Sequence, residues 1–235
     1  MCKRGGAPLL NISPFPFKGK GDKGDGVLNT DHKPSFIEEE ELLARGIRFI
    51  AGVDEVGRGS IAGPVVAAAV ILPDKLSVSW LAEVRDSKQL SPAKREILAN
   101  YIRQTALSFG IGAVSHRLID ALGIVRASRL AMKLAIERLS PMPQYLLIDY
   151  LYLPEVYLPQ KGITDGDCKC LSIACASILA KVARDRMMVR LDRHYSGYRW
   201  AENKGYCTEE HVAGLSKLGP SPIHRRTFEP VRFYL

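Results

Sequence analysis

Long apolar runs are missing from this chain of 235 residues. No stretch approaches the roughly 20 residues that a membrane-spanning helix requires, so no membrane span is expected. The first residues also lack the apolar segment of a secretion signal, because Pro8, Pro14 and Pro16 break it up. Cysteine is sparse and odd in number, at five residues. In a chain large enough to fold on its own core, that points to reduced thiols in the cytoplasm rather than a disulfide framework. Cys168, Cys170 and Cys175 have C-x-C-x4-C spacing, not the C-x2-C pairs of zinc sites. The five histidines are scattered and read as surface or core residues. No Ser/His/Asp or Cys/His pairing stands out, so covalent catalysis through such a nucleophile is not expected.

The composition that remains is 46% hydrophobic and 25% charged, ordinary for one large globular domain with an appendage. The net charge of +8 is uneven. Residues 1–35 hold six Lys/Arg against three Asp, residues 181–235 hold eleven against six acids, and the centre holds sixteen of each. A basic flank beside a neutral centre suits a polyanionic partner; a merely soluble basic protein has the same balance.

The centre is organised around residues 48–63, RFIAGVDEVGRGSIAG. Phe49, Ile50 and Val53 suit a buried strand, which then meets Asp54, Glu55 and the turn Gly57-Arg58-Gly59. Neighbours on a strand point to opposite faces, so two adjacent acids serve one site only where the strand ends and bends. Acids followed by open backbone N–H groups suit a hard cation and a nucleic-acid backbone. A solvated strand end and an ordinary loop would use the same residues.

Residues 1–35, rich in Gly, Pro and Lys, read as a disordered basic tail. A short helix follows, ending at Gly46. Residues 64–73 (PVVAAAVILP) form a second strand buried on both faces. Ser91 and Pro92 open a helix that runs to Thr105, and residues 107–114 give a third strand. Helices over 118–122 and 125–139 precede a fourth strand at Leu146-Leu147-Ile148, which also ends on an acid, Asp149. Residues 151–169 read as a loop with a short strand near Tyr157 and Leu158. A helix over 172–194 then aligns Ser177, Lys181, Arg184, Asp185 and Met188 on one face. Asp185 is either a carboxylate presented from that helix or an ion-pair partner of Lys181 or Arg184.

Six blocks carry a resemblance: DEVGRG at 54–59, DSK at 86–88, Asp149, SIACASILAKVARD at 172–185, KGYCT at 204–208 and HRRTFEP at 224–230. In this order they resemble the ribonuclease HII family over residues 36–233. The resemblance implies an α/β, ribonuclease H-like fold. Its mixed five-stranded sheet has three antiparallel leading strands and is flanked by helices. A catalytic domain would occupy 36–194, and a helical C-terminal extension over 195–235 would contact substrate. The sister family, ribonuclease HIII, has GTG where Gly57-Arg58-Gly59 stands here, and a folded N-terminal domain.

The implied activity is metal-dependent endonucleolytic cleavage of RNA in RNA–DNA hybrids, and incision 5′ of single ribonucleotides in duplex DNA. The products would carry 3′-hydroxyl and 5′-phosphate ends. By the same resemblance Asp54 bridges two divalent ions, Glu55 and Asp149 complete one site, and Asp185 the other; oxygen ligands suit Mn2+ or Mg2+. Backbone groups of the Gly57-Arg58-Gly59 turn are expected to meet the 2′-hydroxyl, and Tyr206 resembles a family tyrosine that would pack on the next deoxyribose; from the basic charge alone, Lys88, Lys204, Arg225 and Arg226 are candidate phosphate contacts. Tyr206 as a structural aromatic anchoring the C-terminal helices is the alternative. The expected partners are RNA–DNA hybrid and ribonucleotide-containing duplex DNA, with no membrane, for a cytoplasmic monomer. The rival readings are a nucleic-acid-binding module with structural acids, and another nuclease of this fold such as a junction resolvase.

Overall fold

The structure, a computed structural model, describes residues 33–235. The tail expected at 1–35 therefore lies outside the described residues apart from its end, where Ser35 bridges to Cys170. The helices are α1 (Ile37–Ala44), α2 (Pro92–Thr105), α3 (His116–Leu122), α4 (Ile124–Ile136), α5 (Gly166–Lys169), α6 (Leu171–His194), α7 (Trp200–Asn203) and α8 (Glu209–Leu218). The strands are β1 (Ile50–Val56), β2 (Val65–Ile71), β3 (Ser108–Val114), β4 (Tyr145–Asp149) and β5 (Gln160–Ile163), in the spatial order β3-β2-β1-β4-β5. The pairs β1–β2 and β2–β3 are antiparallel, and β1–β4 and β4–β5 are parallel. None of the described helices is long and apolar enough to cross a membrane.

The sheet is covered on both faces, which is why β2 (VVAAAVI) is buried throughout. On one face Val53, Ala67, Ala69, Leu146 and Ile148 pack against Ala131, Met132 and Ala135 of α4. On the other, Ala68 and Val70 meet Leu98 and Ile102 of α2 and Ile178 and Leu179 of α6. At Gly52 a Cβ would lie 2.1 Å from the Ser172 carbonyl carbon, so α6 approaches β1 this closely only because the strand has glycine there. The start of α2 is as the residues dictate: the Ser91 hydroxyl accepts the Lys94 N–H at 3.2 Å, and Pro92 occupies the first turn.

Two expectations over 151–169 are corrected. The fifth strand is Gln160–Ile163, not residues 157–158, and Tyr157 is 97% exposed. The loop before it is held by the Gln160 amide, which accepts the Leu153 N–H at 2.8 Å and donates to the Leu153 carbonyl at 3.0 Å. The short helix α5 also stands where only loop was expected. The C-terminal residues pack on the rest of the fold through Trp200, Tyr198, Leu215 and Val231, against Ile61 and Ala62 after β1 and Met188 of α6.

Candidate active site

The parallel register of β1 and β4 sets Val53 opposite Ile148, so one step further brings Asp54 and Asp149 side by side. Both share strand parity with Gly52 and Leu147, which face α6, so both carboxylates point to the α6 side. Glu55 has the opposite parity, yet the strand ends at Val56 and all three acids line one cavity of roughly 600 Å³. Asp167 of α5, Lys88, Lys181 and Tyr206 line it too.

Four carboxylates share this cavity with Lys88, Arg95 and Lys181, and Asp54 and Asp167 are buried. Burial raises the Asp54 pKa well above the usual carboxylate range, and Glu55 and Asp149 add to the rise; the Ser177 hydroxyl opposes it. Burial likewise raises Glu55, against Arg58, whose guanidinium lies 3.1 Å from Glu55 Oε1. Burial raises Asp149, although its Oδ1 accepts the Gly166 N–H at 2.8 Å. Glu55 Oε2 is buried with no hydrogen-bond partner among the described residues. Lys88 Nζ stands 3.7 Å from the Asp167 carboxylate. Burial works to lower the Lys88 pKa, but Asp86, Asp167, Asp54 and Asp149 outweigh it and the net shift is upward.

Asp167 replaces Asp185 as the fourth carboxylate of the cavity. Asp185 lies in a neighbouring cavity between α2 and α6. Its Oδ1 is 2.8 Å from Lys181 Nζ, the ion pair weighed from the sequence, and its Oδ2 is 3.5 Å from Arg95. Arg95 in turn donates to the Ser87 carbonyl at 2.9 Å, so Asp185 braces the loop that carries Lys88. Asp167 was missed because it lies in a stretch read as loop. Its signal was the run Asp165-Gly166-Asp167, a turn residue between two acids just ahead of a long helix.

The Gly57-Arg58-Gly59 turn is held from behind by two buried guanidinium groups. Arg225, expected on a phosphate, is fully buried. Its Nε, Nη1 and Nη2 donate to the carbonyls of Gly63, Arg58 and Gly57 at 3.1, 2.8 and 2.7 Å. Burial drops its pKa to about 9, with the charge of Arg184 the next cause. Arg184 donates to the carbonyls of Pro64 at 2.9 Å and Lys204 at 2.8 Å. Because Arg225 engages the Gly57 and Arg58 carbonyls, the turn's outward offering is its N–H side and Gly59, where a Cβ would have nothing within 4 Å. Arg226 is exposed beside a separate cavity lined by His116, Arg117 and Asp120. Lys204 lines the α2–α6 cavity, its Nζ bonded to the Ala201 carbonyl. Of the four cations expected on phosphates, only Lys88 lines the acidic cavity.

The donor set fits hard divalent cations. Asp54, Glu55, Asp149 and Asp167 offer carboxylate oxygens alone, and the orphaned Glu55 Oε2 is a buried acceptor with an unfilled need. Among the described residues, Asp86, Asp167 and Cys168 bring ligand atoms within 4.8 Å of one another. Burial and the Asp167 charge push the Cys168 thiol up to about 11, which keeps it a neutral, poor ligand at pH 7.

A family model described as ribonuclease HII matches residues 51–231. A protein named ribonuclease HII from Dehalococcoides mccartyi is 57% identical over 199 residues, 85% of this chain and 94% of that one. Another, from Desulfitobacterium hafniense, is 51% identical over 195 residues, 83% of this chain and 74% of that one. Among solved structures, ribonuclease H2 from Pyrococcus horikoshii superposes with a TM-score of 0.67 at 26% identity, covering 79% of this chain and 96% of its own.

Proposed function

Because the chain belongs to the ribonuclease HII family and is a ribonuclease H type endoribonuclease, we propose that the cavity at the ends of β1 and β4 cuts RNA paired with DNA and incises DNA 5′ of a lone ribonucleotide. The single observation that carries this reading is the convergence of Asp54, Glu55, Asp149 and Asp167 on one cavity. The acids come from two adjacent parallel strands and a short helix. A nucleic-acid-binding module with structural acids has no need to gather four carboxylates in one cavity.

In this reading the four carboxylates hold two divalent ions, Mn2+ or Mg2+. Such ions supply an activated water and stabilise charge on the phosphoryl oxygens and the leaving 3′ oxygen. The protein's own residues do the rest. Lys88, exposed at the cavity wall, meets the phosphate beside the scissile bond as a point charge. The N–H side of the Gly57-Arg58-Gly59 turn approaches the 2′-hydroxyl, the one group that marks a ribonucleotide. Tyr206, whose ring has Arg184 at 5.5 Å and Lys181 at 5.8 Å, packs on the following deoxyribose. A 2′-hydroxyl on that sugar would collide with the ring, so an RNA–DNA step is favoured over an RNA–RNA step. The enzyme is taken to act as a cytoplasmic monomer.

A substrate panel tests the reading: an RNA–DNA hybrid, a duplex with one embedded ribonucleotide, and a four-way DNA junction, each with Mn2+ and with chelator. Metal-dependent cutting of the first two, with the embedded site cut on its 5′ side, is expected. Cutting of the junction alone would favour a resolvase of the same fold.

A further inference from the structure

Behind Tyr206 lies a buried polar network that the cleavage chemistry does not use. His211 Nδ1 is 2.8 Å from the Tyr206 carbonyl oxygen. A carbonyl only accepts, so this nitrogen carries the proton and Nε2 is left as an acceptor. Two donors meet that acceptor: Trp200 Nε1 at 2.9 Å and His224 Nε2 at 3.0 Å. His224 therefore holds its proton on Nε2, leaving Nδ1 to accept the Ser221 backbone N–H at 2.9 Å and face the Ser221 hydroxyl at 2.8 Å. Each ring nitrogen has one assigned role, and an added proton on either ring would set N–H against N–H. Burial holds both imidazoles below their ordinary pKa, His224 down to about 3.

Trp200, His211 and His224 are all fully buried, within an aromatic cluster where Tyr198 stacks on Trp200 at 5.0 Å. Apolar side chains would fill that space without three mutually dependent polar groups. A fully satisfied buried network fixes one geometry instead. What it fixes is the Tyr206 peptide: the same carbonyl also accepts the Thr208 N–H at 2.9 Å, so it is held from two directions. The preceding Gly205 carbonyl accepts the Ile61 N–H at 2.9 Å, which ties this segment to the chain just after the Gly57-Arg58-Gly59 turn.

Resting on the role proposed above for Tyr206, we propose that His211, set by Trp200 and His224, is the positioning residue that fixes the Tyr206 ring in the acidic cavity. It thereby determines preference for the ribonucleotide–deoxyribonucleotide junction. The bond that transmits the effect is His211 Nδ1–H to the Tyr206 carbonyl.

The readout is the ratio of cleavage rates on a single embedded ribonucleotide and on a long RNA–DNA hybrid, measured with melting temperature. His211→Asn places an amide nitrogen near Nδ1 and should keep the ratio within about threefold of wild type. His211→Leu removes the donor and should lower the ratio about tenfold, the scale of one hydrogen bond. Both variants leave the Trp200 and His224 donors unmatched, so their difference isolates the bond to Tyr206. If His211→Leu does not fold, His211→Gln, whose amide reaches toward Nε2 rather than Nδ1, should show the same fall. In a Tyr206→Ala background, His211→Leu should lower the ratio no further. If Tyr206→Ala lowers the ratio but His211→Leu does not, or if Asn and Leu lower it equally, the positioning role is overturned. If neither Tyr206→Ala nor His211→Leu alters the ratio, the reading of Tyr206 itself is overturned.

Discussion

The Arg184 side chain occupies the place where Gly57 would carry a Cβ: its Nε lies 2.1 Å from that position. Gly57 also has φ of +92°, a region that L side chains rarely adopt. The turn that follows Asp54 and Glu55 is therefore built on a glycine whose missing Cβ leaves room for a buried guanidinium.

Gly57→Ala is expected to destabilise the fold by about 2 kcal/mol or more, since the backbone strain alone is worth roughly 1–2 kcal/mol and Arg184 must also move. For a chain of this size that is a fall in Tm of about 4–8 °C or more. Gly59→Ala meets nothing within 4 Å and should leave Tm almost unchanged. Differential scanning fluorimetry of the two variants checks this, and equal melting temperatures would argue against the packing described.

Asp167 and Asp185 should separate cleanly. Asp167→Asn removes a carboxylate from the acidic cavity, so turnover on a hybrid should fall at least about 100-fold (roughly 3 kcal/mol) with Tm preserved. Asp185→Asn weakens the pairing to Lys181 and Arg95. It should lower stability by about 1–3 kcal/mol while turnover falls by less than about tenfold. The reverse pattern would return Asp185 to the metal site.

Much of this was legible in the sequence. The first three strands, the capped start of α2 at Ser91-Pro92 and the long α6 follow from apolar runs and cap chemistry, which are local signals. Asp54 and Asp149 were legible because each ends an apolar strand. What was not legible depends on tertiary register. β5 is a polar edge strand, QKGI, whose pairing is specified by β4 and not by its own pattern. Arg225 read as a phosphate contact and Arg184 as a possible partner of Asp185, because the sequence cannot show backbone carbonyls from residues 57–64 converging on them. Asp185 shares a helix face with Lys181 as expected, but while Ser177 and Lys181 reach the cavity at the strand ends, Asp185 turns to Arg95 of α2.

Acid should weaken the fold through the buried imidazoles. An unfolded histidine titrates near 6.5, whereas His224 in the fold titrates near 3. Between those values the unfolded chain binds more protons, so stability falls as pH drops from about 6.5 toward 3 and is unaffected by this group above that window. Tm measured from pH 7.5 to 4.5 should decline, and His224→Gln should decline less steeply. Parallel slopes would mean that His224 is not held neutral.

In the proposed mechanism the carboxylates at the ends of β1 and β4 hold the divalent ions used in cleavage. The most direct measurement is the rate at which Asp54→Asn, at saturating Mn2+, cuts a duplex carrying one embedded ribonucleotide. The expected loss is about 10³-fold, or roughly 4 kcal/mol of transition-state stabilisation. Tm without metal should be equal to wild type or higher, because a buried like charge has been removed. Cleavage at the wild-type rate by a folded Asp54→Asn would contradict the assignment.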